Sequence, residues 1–485
     1  MLAIGHPRIR IADKAAASHE DPTLSASLIE IPGRVPVQVP PATYDLKQLG
    51  YLEQEFVLEG SAESYGLVGD RSADGRWTVQ PAGQAPFFTR ILVRRPADEA
   101  RFSGTVLVEW LNVSGGLDAA PDWMYTHTHL IRRGHAWVGV SAQRAGISGG
   151  GIVEGVSLKK AHPVRYAQLE HPGDQWSYDI FSQAARALRD ADGPLAALSR
   201  GEPLRLLASG HSQSAAFLVT YINAVDQLAQ EFDGFLVRGR GGSGASINAG
   251  FHPGAPLRAG GERIRDDLRV PVIVLQTETD VALLGGGRAA QLDGNLLRNW
   301  ELAGAAHGDT YLFFASTHDD GHLDPQRLAE MIEPTASLPI GETGSVINSG
   351  PQHHYVACAA VECLNTWAGG GPSAPTAPRL DLAETGREFV RNPLGIATGG
   401  IRTPWTDVPV VALSGTGQSG GGVFAFLFGT TRALAPADLA QLYPGGQSDY
   451  RAKFEQSLDA AIGAGFLLSD DRAEILAINR FGWPG

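Results

Sequence analysis

The chain has 485 residues, 43% of them hydrophobic and 19% charged, a globular composition that excludes the disordered class. A formal net charge of −13 excludes the clustered basic surface that a nucleic-acid partner needs. No run of about twenty apolar residues occurs, so no membrane-spanning helix is expected.

Residues 1–45 read as an irregular N-terminal arm without an apolar core of signal-peptide length. A chain that starts here is expected to be soluble and cytoplasmic; one from which a leader has been removed would be exported. Residues 51–58 and 87–93 alternate apolar with polar, as half-buried edge strands do. The Gly- and Ser-rich stretch between them predicts a loop or short hairpin. Residues 105–112, TVLVEWLN, form the continuous apolar strand typical of parallel sheet. A helix over 123–132, a buried strand over 136–140 and an amphipathic helix over 175–190 follow. Next come an apolar strand over 204–208 with a helix after it, a short strand at 235–237, and strands at 270–275 and 300–303.

Strands alternating with helices at this spacing predict an α/β fold with a mostly parallel central sheet flanked by helices. The core domain is expected over 46–370. Inside it, 310–348 reads as a lid-like insertion, mostly loop with one short helix at 325–332. A helix over 355–367 carries Cys358 and Cys363, the only two cysteines, on different faces, so buried thiols and no disulfide are expected. Beyond a Gly/Pro linker, 371–485 is expected as a C-terminal extension that packs on the core or contributes to a cap. It should hold a strand at 408–413 and helices at 436–443 and 448–463.

The candidate chemistry lies at the ends of these strands, where α/β sheets keep it. Ser209-Gly210-His211-Ser212-Gln213-Ser214 sits between strand and helix, the context of a nucleophile elbow. Ser212 would stand on a strained turn, and Ser214 occupies a place where glycine is usual. Serine needs a base and an acid to orient that base. The strand VPVIVL is followed by Glu278 and Asp280, and the last strand by His307, giving the order Ser, acid, His along the chain. Asp280 is the favoured acid, with Glu278 as rival; His307 is the favoured base, with His353 and His354 as rivals near the start of a later helix. The backbone N–H of Gln213 and that of Val113 or Ser114 are the candidate oxyanion donors. Asn112, His211, His354 and Tyr311 are candidate substrate contacts. Tyr311, Phe313 and Phe314 suggest a covered apolar pocket for a bulky small-molecule ester. No cofactor and no metal are expected: Gly239 to Gly244 match G-x-G-x-x-G but lead into no helix. His127 and His129 fall on different sides of a helix, and His318 and His322 lie in a loop, so surface or cleft positions are expected for all four.

Taken together, GTVLVEWLNVSGG, RRGHAWVGVSAQRAGI, SGHSQS, VPVIVLQTETDV, WELAGAAHGD and NSGPQHHYVACAAVECLNTW resemble the large "alpha/beta hydrolase domain" proteins of bacteria and fungi, over residues 25–465. The resemblance implies an α/β-hydrolase core and serine-hydrolase activity, with Ser212 as nucleophile, His307 as base and the acid within TETD. The same residues could run amide hydrolysis or acyl transfer, and a non-catalytic binding protein on the same fold is the further alternative.

Overall fold

The computed structural model describes residues 26–32, 42–199, 201–248, 261–384, 388–480 and 482–483. Nine strands form its main sheet: β1 (Ser27–Glu30), β2 (Tyr51–Val68), β3 (Thr78–Pro96), β4 (Thr105–Trp110), β5 (Ala136–Val140), β6 (Arg205–His211), β7 (Gly234–Arg238), β8 (Val272–Thr277) and β9 (Leu297–Leu302). Their order is β1-β2-β3-β5-β4-β6-β7-β8-β9. Strands β4 to β9 pair in parallel, and β1 to β3 form an antiparallel edge. The chain leaves β4 toward one side and β6 toward the other, so the switch point lies between these two neighbours, where α/β sheets open a crevice at the carboxyl ends.

Strand β4 shows how the sequence divides the core. Val106, Val108 and Trp110 point into one apolar layer with Tyr178 and Phe181 of helix α2 (Ser177–Arg189) and Phe217 of helix α3 (Gln213–Thr220). Leu107 and Leu111 point into the other, with Tyr125 and Leu130 of helix α1 (Pro121–Arg133) and Val361 and Leu364 of helix α6 (Gln352–Ala368). Helices α4 (Glu278–Ala282) and α5 (Pro325–Met331) lie between α3 and α6 in the chain. Glu109 faces the second layer although it is fully buried. It is held there because its carboxylate accepts from the first turn of α1, Asp122 N at 2.9 Å and Trp123 N at 2.9 Å, and from Trp137 Nε1 at 2.8 Å. A carboxylate at a helix N-terminus meets free N–H groups and the positive end of the dipole.

The edge differs from expectation. The stretch between residues 58 and 87 is a long hairpin rather than a loop or short hairpin: β2 and β3 are paired from Tyr51 to Val68, with one bulge at Ser64/Tyr65, and 69–77 connect them. Ala62, Tyr65, Trp77 and Val79 are buried in the first apolar layer, and that burial outweighs the poor strand propensity of the glycines and serines around them. Within the expected N-terminal arm, Ser27–Glu30 add β1 to this edge, while 1–25 and 33–41 fall outside the described residues. The 310–348 segment holds α5 and a π-helical turn at Tyr311–Ala315. Helix α6 starts three residues earlier than expected, which puts His353 and His354 inside its first turn. Both cysteines are free thiols, Cys358 buried and Cys363 half-buried.

The C-terminal residues join the second apolar layer. Tyr450, Phe454 and Leu458 of helix α7 (Gln447–Gly463) and Ile475 of helix α8 (Arg472–Asn479) share it with Leu275 and Trp300 of the sheet. A short antiparallel hairpin, Val411–Ser414 with Thr430–Ala433, lies next to the ends of β8 and β9.

Candidate active site

Ser212 follows β6 directly and has φ 62° and ψ −118°; among the described residues only it and Gln230 are non-glycines at positive φ. Such a backbone costs about 1–3 kcal/mol and persists only where its surroundings impose it. Here the Ser212 N–H donates to Arg238 O at 2.9 Å, and Asn112 Nδ2 donates to His211 O at 2.9 Å. A Cβ on Gly210 would stand 3.1 Å from Ser214 C, so strand and helix pass close enough to favour glycine. Ser214, the departure from the usual glycine, secures the turn: its Oγ accepts from His211 N at 3.0 Å and donates to His211 O at 2.9 Å. Ser212 itself is half-exposed, between buried His211 and Gln213.

His307 follows β9 and is 5% exposed. Its Nδ1 stands 2.5 Å from Asp280 Oδ1, and its ring packs against that of His211, tilted by 30° with centroids 4.5 Å apart, which puts it beside the elbow. The other Asp280 oxygen accepts from Thr277 N at 2.6 Å and Thr277 Oγ1 at 2.8 Å, so both carboxylate oxygens are used. Glu278, the rival acid, points elsewhere. Its oxygens accept from Gly304 N at 2.7 Å, Gly415 N at 3.0 Å, Ser414 Oγ at 3.1 Å and Arg391 Nη2 at 3.2 Å, which ties β9 to the C-terminal hairpin.

The rival bases are buried, each with one ring nitrogen engaged by protein. His353 is buried with Nε2 2.9 Å from Arg238 Nη2, and its Nδ1 is 3.8 Å from Asp309 Oδ2, beyond hydrogen-bond reach. Burial, then the Arg238 guanidinium, hold it well below the ordinary histidine pKa. His354 stacks on Tyr311 at 4.1 Å and its Nδ1 lies 2.6 Å from Tyr125 O. Tyr311 donates to Asp319 Oδ2 at 2.8 Å. Both residues are buried, with these polar atoms engaged by protein. Tyr311 packs in the second apolar layer. Asn112 and His211 are also buried, and Asn112 spends both ends of its amide on the elbow and its own loop. His127 and His129, expected at the surface or in a cleft, are fully buried.

Of the candidate oxyanion donors, the Gln213 N–H is the first of helix α3 and has no acceptor within it. Ser114 N donates to Asn112 Oδ1 at 2.9 Å, whereas Val113 N makes a longer bond, 3.2 Å, to Gln213 Oε1. The Gln213 amide in turn donates to Gln143 Oε1 at 2.8 Å.

Beneath the elbow lies a polar layer that sequence reasoning missed. Arg238, the last residue of β7, is fully buried; Nη1 donates to Asp122 Oδ1 at 2.6 Å and the guanidinium covers the Tyr125 ring at 4.6 Å. Burial raises the Asp122 carboxyl and Arg238 opposes that rise. The available signal was a charge inside an otherwise apolar strand, in GFLVR as in TVLVEW.

The arrangement sets a half-exposed serine on a strained turn, next to His211, whose ring packs against an imidazole held at Nδ1 by a buried carboxylate. A model of the family described as "Alpha/beta hydrolase domain" matches residues 15–477. Among solved structures, one similar to the chain is a putative dienelactone hydrolase from Klebsiella pneumoniae, 15% identical with a TM-score of 0.26, covering 57% of this chain and 98% of that one. Another is a thermostable esterase from Pseudomonas putida, 12% identical with a TM-score of 0.28, covering 60% and 82%. No curated protein matches the chain. With the family model matched over nearly its whole length, the chain belongs to the alpha/beta hydrolase domain family.

Proposed function

We propose that this hydrolase cleaves a carboxylic ester through an acyl-enzyme intermediate, with Ser212 as nucleophile, His307 as base and Asp280 as the acid that orients it. The observation that carries the reading is the 2.5 Å contact between His307 Nδ1 and Asp280 Oδ1 beside the strained Ser212 turn. An imidazole fixed at Nδ1 offers Nε2 to a neighbouring hydroxyl. In the proposed cycle His307 takes the Ser212 proton as Oγ bonds to the ester carbonyl carbon. The bond to the alcohol oxygen breaks and His307 returns the proton to it. Water, deprotonated by His307, then attacks the acyl carbon and Ser212 leaves with its proton. Gln213 N–H and Val113 N–H are the proposed oxyanion donors, substrate replacing the long Gln213 Oε1 bond at Val113.

The half-buried Phe313 and Phe314, clustered with Phe428, support a bulky, apolar ester. That cluster reaches the histidine loop, since a Cβ on Gly308 would stand 3.2 Å from the Phe428 ring. Among the described residues no helix is long and apolar enough to cross a membrane.

Treatment with a fluorophosphonate probe followed by peptide mapping tests the nucleophile. Labelling at Ser212, abolished in Ser212→Ala, is the expected result. Labelling at another residue, or none in protein that turns over esters, would overturn the assignment. Ester and anilide analogues of one acyl group, with and without an acceptor alcohol, then separate ester hydrolysis from amide hydrolysis and acyl transfer.

A further inference from the structure

A second group of chemistry-bearing side chains lies at the opposite end of the sheet from Ser212. His129 is on the last turn and a half of α1, His135 immediately precedes β5, and Glu362 is on α6. Because β5 and β6 run in the same direction through the sheet, a residue at the amino end of β5 is far from one at the carboxyl end of β6. One ligand atom from each of the three side chains can be chosen so that all lie within 4.8 Å of one another.

Two of the three are buried imidazoles lacking the partners that buried polar groups require. His129 is fully buried and neither of its ring nitrogens has a hydrogen-bond partner. His135 is 3% exposed; Nδ1 lies 2.6 Å from Ser103 Oγ, while Nε2 has no partner. An imidazole that gives its Nδ1–H to a hydroxyl presents the lone pair of Nε2, as metal-bound histidines do. His129 Nε2 is 3.4 Å from Glu362 Oε2. Ligand atoms at about 2.0–2.1 Å from a tetrahedral zinc ion stand roughly 3.3 Å apart, so this pair already has the spacing of two zinc ligands. The third, within 4.8 Å of the others, needs to close by up to about 1.5 Å to reach that spacing.

We propose that His129, His135 and Glu362 bind a single zinc ion, with water as fourth ligand, and that the ion clamps α1 and α6 to the start of β5. Imidazole with carboxylate is a donor set that zinc accepts and that calcium and magnesium do not favour. The neighbouring positive charges are compensated. Arg132 pairs with Asp471 at 2.8 Å, and Arg133 is shared between Asp470 at 3.1 Å and Glu362 Oε2 at 3.2 Å. Arg133 therefore competes with the ion for one Glu362 oxygen, and weakening that competition should tighten binding.

The test uses full-length protein stripped with chelator and titrated with zinc chloride, followed by calorimetry, metal analysis and thermal unfolding. One equivalent of zinc and a rise in melting temperature are expected, with calcium giving neither. Glu362→Gln and His135→Gln should weaken zinc binding at least about a hundredfold, and Ser103→Ala by about ten- to a hundredfold. Arg133→Gln should tighten it. Glu362 is 28% exposed and should tolerate its substitution, so that variant decides if His135→Gln does not fold. Cobalt in place of zinc should give the intense visible bands of a tetrahedral site. No zinc uptake by wild type would overturn the proposal. So would uptake unchanged in Glu362→Gln, which would put the ion on exposed histidines such as His318 and His322. Ester turnover plays no part in these readouts, so they stand apart from the fate of Ser212.

Discussion

Glu278 and Asp280 are two residues apart, yet they are sent to different work by the single turn of helix they share. The capping box of α4 aims Asp280 back across the strand end, with Thr277 donating to one oxygen and His307 at the other. Glu278, on the opposite side of that turn, reaches Gly304 and the hairpin. Asp280→Asn is therefore expected to lower kcat by about three to four orders of magnitude with little change in KM, because an amide stabilises the wrong imidazole tautomer. Glu278→Gln should leave kcat within about tenfold and instead cost roughly 1–3 kcal/mol of stability, since Arg391 and Gly415 N lose a charged acceptor. Steady-state kinetics and denaturant melts on both variants decide, and the opposite pattern would exchange their roles. At this scale the sequence was informative: a carboxylate and a histidine at successive strand ends, after a serine on a strand-to-helix turn, could be listed without coordinates. Their places after the strand ends alone favour Asp280 over Glu278 and His307 over His353, whereas the side-chain directions that separate each pair are not written in residue type.

The elements that were legible are those with a local signal. Parallel strands announce themselves as apolar runs, so β4, β5 and β8 were predicted to within two residues at either end. What the pattern conceals is support that arrives from far along the chain. The hairpin Val411–Ser414/Thr430–Ala433 braces both site loops: Thr279 Oγ1 donates to Gly415 O at 2.5 Å, accepts from His307 N at 3.2 Å, and Glu278 N donates to Ala305 O at 3.2 Å. No spacing rule places residue 415 against residues 279 and 305. The contact is nevertheless tight enough to test. A Cβ on Gly415 would lie 2.2 Å from Ala305 O and 2.5 Å from Glu278 Cβ, so Gly415→Ala must push the acid and histidine loops apart. A loss of about 1–3 kcal/mol in stability and a fall in kcat larger than any rise in KM are expected. Gly422→Ala, where nothing lies within 4 Å, is the matched control and should behave as wild type. If the two variants are indistinguishable, the hairpin does not position the site.

Across the whole molecule, a buried carboxyl and a half-buried one in different parts of the chain make folding sensitive to pH in the same direction. Burial pushes Asp309, near His307, up to about 7, and burial with the Asp319 charge pushes Glu474 of α8, which accepts from Tyr355 Oη at 2.7 Å, up to about 7. Tyr125, His353 and Arg238 face Asp309. Their ordinary values, 3.8 and 4.5, describe the unfolded chain. As pH rises past those values the unfolded state gives up its protons while the folded state keeps them, so the stability these two groups contribute is full below about pH 4, falls away up to about pH 7, and is then level. For Asp309 the shift corresponds to about 4 kcal/mol at 1.36 kcal/mol per pH unit, an upper figure for one site. Asp309→Asn carries no proton to lose and keeps an oxygen for Leu312 N, now bonded at 3.0 Å. Urea denaturation from pH 4.5 to 8 should find the variant close to wild type at the acid end and more stable by a few kcal/mol at the alkaline end. Glu474→Gln should show the same trend with a smaller amplitude, because that side chain is only half-buried. Since Ile475 beside it packs in the layer that also holds Leu275 and Trp300, its titration must be felt by the main sheet. Tryptophan fluorescence and far-ultraviolet circular dichroism should therefore report one coincident transition at every pH. A separate early transition, shifted by Glu474→Gln and not by Asp309→Asn, would mean that the C-terminal helices unfold on their own.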